Sequence, residues 1–146
     1  ENVPAYAGLG VAAEEIYTDF DKKTAHMYEL RDHFIESVQR IEGVSVNGRT
    51  DHTNAPHVVS VSVDGVRAEV MLHTLEDRQI YVSAGSACSS NKPAISSTLK
   101  SIGLKQSLLD STIRFSFCVN TTQEEIDYAV SVMAEVIPML RRYTRR

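Results

Sequence analysis

The stretch HVVSVSV, His57 to Val63, alternates valine with serine, so that Val59, Val61 and Val63 fall on one side and Ser60 and Ser62 on the other. A period of two marks a strand with one buried face and one polar face. The pattern returns in TIRFSF, Thr112 to Phe117, where Ile113, Phe115 and Phe117 oppose Arg114 and Ser116. Strands of this kind need an apolar cover, and the segments around them carry the stripes to provide it.

Upstream, Val44 and Val46 predict a partner strand, joined to the first through the polar turn region NGRTDHTNAP. Before it, Met27, Leu30, Phe34, Val38 and Ile41 follow Thr24 at steps of three and four, one apolar stripe on a helix that Gly43 is expected to end. Nearer the start, Pro4 suits a helix's first turn. The small residues Ala5, Ala7, Gly8, Gly10, Ala12 and Ala13 predict a helix that packs closely or not at all.

Downstream, Asp64-Gly65 breaks the strand, and Ala68, Met71, Leu72 and Leu75 stripe the next helix. Ile80 to Ser83 predicts a short strand, and AISSTLKSIG a short helix closed by Gly103. The last helix opens on Thr121 or Thr122, three residues ahead of Glu124 or Glu125, a capping-box pattern. Its stripe is Ile126, Ala129, Val130, Met133, Ile137 and Leu140. The order α-α-β-β-α-β-α-β-α predicts an α/β domain of the α+β type over residues 1–146, with a small, mainly antiparallel sheet covered by helices on one face.

The 146 residues carry a formal net charge of −4, which argues against a nucleic-acid surface. No apolar run approaches the roughly 20 residues that cross a bilayer. With no signal peptide and only two cysteines, in no CxxC spacing, the chain fits the reducing cytoplasm and cannot form a zinc knuckle. His26, His33, His52, His57 and His73 show no ligand-like spacing, so no metal site is expected. The terminal RRYTRR reads as a solvated helix end with cations near the last carbonyls. The opening ENVPAYAGLG has no initiator Met and is expected to enter a longer protein partway.

If Ser60, Ser62, Arg114 and Ser116 share a face, it is too polar for a second core and lacks the Lys and Glu of an ordinary wet surface. It is either a docking face or a solvated one. Arg114 is a stiffly held fork, suited either to a substrate carboxylate or to an internal ion pair. Cys118, beside Phe117 and Val119, reads as an inert packing thiol. Cys88 sits instead in YVSAGSACSS, Tyr81 to Ser90, among glycine, alanine and hydroxyls, where a reachable sulfur nucleophile is at home.

SAGSACSS, LKSIGL and STIRFSF followed by TTQEEIDYAV, in this order, closely resemble the C-terminal part of the cysteine desulfurases, pyridoxal-phosphate enzymes of the NifS/IscS type in the class V aminotransferase group. ENVPAYAGLGVAAE resembles the family's segment after an Arg-Ser-Gly-Thr motif. The resemblance implies the small C-terminal domain of a fold-type I pyridoxal-phosphate transferase. It makes Cys88 the nucleophile that takes sulfur from L-cysteine, leaving L-alanine and a persulfide, and Arg114 the grip on the substrate's carboxylate. It further implies pyridoxal 5'-phosphate as the electron sink of the full-length enzyme, a homodimer, and sulfur acceptors in iron–sulfur cluster assembly or tRNA thiolation.

None of Lys22, Lys23, Lys92, Lys100 or Lys105 has the family's Ser-x-His-Lys context, so no cofactor-binding residue is expected here and the isolated fragment is expected to be inactive. Two other readings stay open: a selenocysteine lyase or other class V enzyme, and a cofactor-free sulfur-carrier or interaction module built on Cys88.

Overall fold

A computed structural model describes residues 1–84 and 96–144 of the chain. The alternating stretch forms strand β2 (Val58–Val63), which pairs antiparallel with β1 (Val44–Asn47) on one side and β4 (Thr112–Ser116) on the other. A two-residue strand β3 (Ser83–Ala84) closes the order β1-β2-β4-β3, so all three pairings are antiparallel, as the alternation predicts.

Val59, Val61 and Val63 are buried together with Ile113 and Phe115. Three helices cover that face: α2 (Phe20–Val38), α3 (Ala68–Glu76) and α6 (Gln123–Thr144). Phe34 of α2 packs on Phe115 at 4.7 Å and meets Phe117 edge-on at 5.4 Å, the tilted geometries that aromatic quadrupoles favour. Met71 and Leu75 of α3 and Met133 and Ile137 of α6 complete the core. The capping box at the start of α6 is the Thr122/Glu125 pair. Glu125 N–H donates to Thr122 Oγ1 at 3.2 Å, and Thr122 N–H to the Glu125 carboxylate at 2.9 Å.

Several expectations need correction. Helix α2 begins at Phe20, not after Thr24, and ends at Val38, five residues ahead of Gly43. Gly43 instead takes φ +69 in the turn entering β1, where only glycine is free of strain. The strand expected at Ile80 to Ser83 pairs only from Ser83, while Ile80 and Val82 pack against the core. Helix α1 (Val3–Tyr17) forms as expected, capped by Asn2, and buries no residue. The short helix α4 spans Ser97–Ser101. A further single-turn helix, α5 (Gln106–Leu109), was not anticipated. It meets β2 where Ser62 and Thr112 are buried, so the opposite face of the sheet is covered at that end.

Arg141, near the end of α6, ties the helix to two turns of the sheet. Its Nε donates to the Asp64 carbonyl at 2.9 Å and its Nη2 to the Glu42 carbonyl at 2.7 Å. No helix among the described residues is long and apolar enough to cross a membrane.

Candidate active site

Register decides which polar residues meet. Residues directly opposite in an antiparallel pair share a face. Ser60 is opposite Arg114, and Arg114 is opposite Ser83; Asn47 is opposite Ser60. Asn47, Ser60, Arg114 and Ser83 therefore form one row across all four strands. The next row holds Ser45, Ser62 and Thr112, and Ser116 lies one step beyond Arg114. Ser60, Ser62, Arg114 and Ser116 thus share the face turned away from the apolar core.

Arg114 is exposed, and its side chain makes no hydrogen bond or ion pair among the described residues. The residues outside the description carry no acidic side chain. Among the described residues the internal ion pair considered for Arg114 is not formed, and the residue is exposed on the polar face. Among the described residues, strand alternation leaves serine hydroxyls beside it and no competing carboxylate.

Cys88 lies outside the described residues. The last residue described before it, Ala84, is paired with Ile113, the neighbour of Arg114 in β4.

Cys118 departs from its packing role. It is exposed and free, because β4 ends at Ser116 and the chain turns before α6, leaving only Phe117 directed into the core. The Thr121 hydroxyl donates to its sulfur at 3.6 Å. That bond, with backbone N–H groups of Asn120 and Thr121, holds the thiol below its ordinary range against desolvation and the Glu125 charge.

Sequence reasoning missed two polar clusters. One is a relay on the site face linking Asn47, Ser62 and Thr112; Asn47 and Thr112 both obey the period-two pattern, which was the available signal. The other is Arg31, 2% exposed, whose guanidinium donates to the carbonyls of Thr50, Asp51 and Asn54 and to the Asp32 carboxylate. Burial pushes the Asp32 carboxyl up, but hydrogen bonds from His52 and Arg31 and the Arg31 charge outweigh it and leave it below the usual carboxylate range. Of the histidines, His26, His33, His52 and His73 have protein partners, and no group of side chains among the described residues can hold a metal ion.

Comparison with known proteins gives concordant matches. The aminotransferase class-V family model matches residues 1–129. The chain is 39% identical over 134 residues to the cysteine desulfurase IscS of Vibrio atlanticus, covering 92% of this chain and 32% of that protein. It is 36% identical over 140 residues to the cysteine desulfurase IscS of Rickettsia prowazekii, covering 95% and 33%. A solved NifS-like protein superposes with a TM-score of 0.82 at 24% identity, over 96% of this chain and 35% of that one, a likeness of fold. A cysteine desulfurase from Thermococcus onnurineus NA1, solved in its apo form, superposes with a TM-score of 0.61 at 26% identity, covering 78% and 26%. The chain spans about a third of the length of the curated relatives it matches.

Proposed function

The chain belongs to the aminotransferase class-V family, and on that premise we propose that it is the small C-terminal domain of a cysteine desulfurase. The whole protein converts L-cysteine to L-alanine. The substrate's Cβ–S bond breaks, Cβ gains hydrogen, and the sulfur joins the Cys88 thiol as a persulfide for transfer to an acceptor such as an iron–sulfur scaffold or a tRNA-thiolation enzyme. Atoms balance: one thiol and one cysteine become one persulfide and one alanine.

The observation that carries this reading is the pairing of β3 with β4. Ser83, five residues ahead of Cys88 in the chain, sits opposite Arg114, whose side chain has no hydrogen-bond or ion-pair partner among the described residues. Arg114 binds the substrate's α-carboxylate through its fork of N–H donors. Cys88 attacks the sulfur three bonds from that carboxylate carbon as a thiolate.

Pyridoxal phosphate does not fit the described residues, because no strand of the site carries a lysine to hold it. Lys22 and Lys23 lie in α2, Lys100 in α4, and Lys105 precedes α5. The cofactor belongs to the remaining two thirds of a protein of the relatives' length. The exposed apolar side chains of α1, Val3, Tyr6, Leu9, Val11 and Ile16, support the same division, since uncovered patches of this kind mark interfaces. A homodimer and a cytoplasmic location accompany the reading.

The test is made on the full-length protein with pyridoxal phosphate and L-cysteine. Alanine is released and one sulfur appears on Cys88 by mass spectrometry. Cys88→Ala abolishes alanine release from L-cysteine, and Arg114→Ala raises KM for L-cysteine. Unimpaired L-cysteine turnover in the Cys88→Ala protein would instead mark a selenocysteine lyase or another class V relative.

A further inference from the structure

Three hydroxyls and one amide on the site face are wired in a single direction. Thr112 Oγ1 has one proton and donates it to the Leu108 carbonyl at 2.7 Å. At its 2.7 Å contact with Thr112, the Ser62 hydroxyl must therefore be the donor. With that proton committed to its shorter contact, the lone pairs of Ser62 accept from Asn47 Nδ2 at 2.8 Å, while Asn47 Oδ1, at 3.1 Å, is the longer of the two acceptors within reach of the Ser62 hydroxyl. The orientation of the Asn47 amide is thereby set, and its second N–H reaches Ser60 Oγ at 3.2 Å. Ser60 receives a hydrogen bond and, among the described residues, gives none.

Ser60 is the direct cross-strand partner of Arg114. Opposite residues place their Cβ atoms about 5 Å apart, so a hydroxyl with an uncommitted proton and a guanidinium with uncommitted N–H groups leave the same face from adjacent positions. A guanidinium and a hydroxyl that both have protons to give suit an anion, and a planar group with two oxygens can take the fork on one and the hydroxyl on the other.

We infer that Ser60 is a second carboxylate-binding residue beside Arg114, and that Asn47 is a positioning residue that keeps the Ser60 hydroxyl turned outward as a donor. This rests on the reading of Arg114 as the carboxylate grip. Removing Asn47 takes away the N–H that Ser60 Oγ accepts and frees the Ser60 proton to point away from the carboxylate; removing Ser60 leaves the carboxylate with one anchor.

The test follows the Nε–H signal of Arg114 by NMR in the 146-residue chain, assigned by its loss in Arg114→Lys. The probes are 3-mercaptopropionate, which has a carboxylate and no amine, and cysteamine, which has an amine and no carboxylate. Saturable shifts are expected with 3-mercaptopropionate alone. Ser60→Ala raises Kd about tenfold to a hundredfold, the loss of one hydrogen bond to a charged group. Ser60→Thr, which keeps the hydroxyl, stays within about twofold of the parent. Asn47→Ala weakens binding, and the double variant Asn47→Ala/Ser60→Ala is no weaker than Ser60→Ala alone, a non-additivity that general loosening of the sheet would not produce. If Arg114 responds and Ser60→Ala binds as tightly as the parent, the role of Ser60 is overturned while Arg114 keeps its own. If Arg114 does not respond in the parent chain, the carboxylate reading of Arg114 fails and Ser60 falls with it.

Discussion

The Thr121 hydroxyl both accepts from the Cys118 backbone N–H at 3.0 Å and donates to the Cys118 sulfur at 3.6 Å. One side chain thus fixes the turn and favours the thiolate. In a Cys88→Ser background, where Cys118 is the sole thiol, Thr121→Val is expected to slow alkylation by iodoacetamide near neutral pH about fivefold, the worth of one hydrogen bond. The midpoint of the rate-against-pH curve moves upward, and Thr121→Ser restores it. An unchanged curve would remove Thr121 from the account.

Arg31 presents the most demanding side chain of the core. Its guanidinium is buried and satisfies three carbonyls from residues 50 to 54. Arg31→Ala leaves those acceptors without a partner and is expected to lower unfolding stability by about 2–4 kcal/mol in urea denaturation. Limited proteolysis should then cut between residues 49 and 57 before any other site.

Asp32 joins that cluster through His52 and Arg31. A carboxyl lowered in the folded state stabilises it above the unfolded pKa, about 4, and the contribution is lost as pH falls through the lower folded value. Asp32→Asn should therefore reduce stability at pH 6, and the difference from the parent should be smaller at pH 3. Asp32 is 41% exposed, so screening holds the effect below about 1 kcal/mol. Urea midpoints of both proteins at the two pH values check the sign.

At the start of α6, Thr122 and Glu125 satisfy each other's backbone N–H groups. Thr122→Ala is expected to cost about 1 kcal/mol. Glu125→Gln, which keeps an acceptor, should cost less than Glu125→Ala. Equal losses from the two Glu125 variants would place the effect in charge near the helix end rather than in the reciprocal bonds.

Much of this could be read from sequence, because the decisive patterns are local. The alternation in β2 and β4 set the buried face and placed Ser60, Ser62, Arg114 and Ser116 together, and the stripe of α6 named Ile126, Met133 and Ile137 in the core. What escaped was either short or long-range. A single turn such as α5 has no period to detect, and the carbonyls that make burial of Arg31 tolerable come from a loop about 20 residues downstream. Helix α2 starts after Asp19, held in a left-handed conformation without a side-chain cap, so no cap signal marked its true beginning. Cys118 was misread because its neighbour Phe117 is buried, whereas the strand has already ended and Val119 faces solvent.

The grip of Arg141 on the Glu42 and Asp64 carbonyls indexes α6 lengthwise against the sheet. Sliding the helix by one residue would shift it 1.5 Å and rotate it about 100°, tearing the guanidinium from both turns at once. Hydrophobic stripes alone tolerate such slippage, since one aliphatic group replaces another. This fastening admits a single setting, and with it a single set of neighbours for Met133 and Ile137.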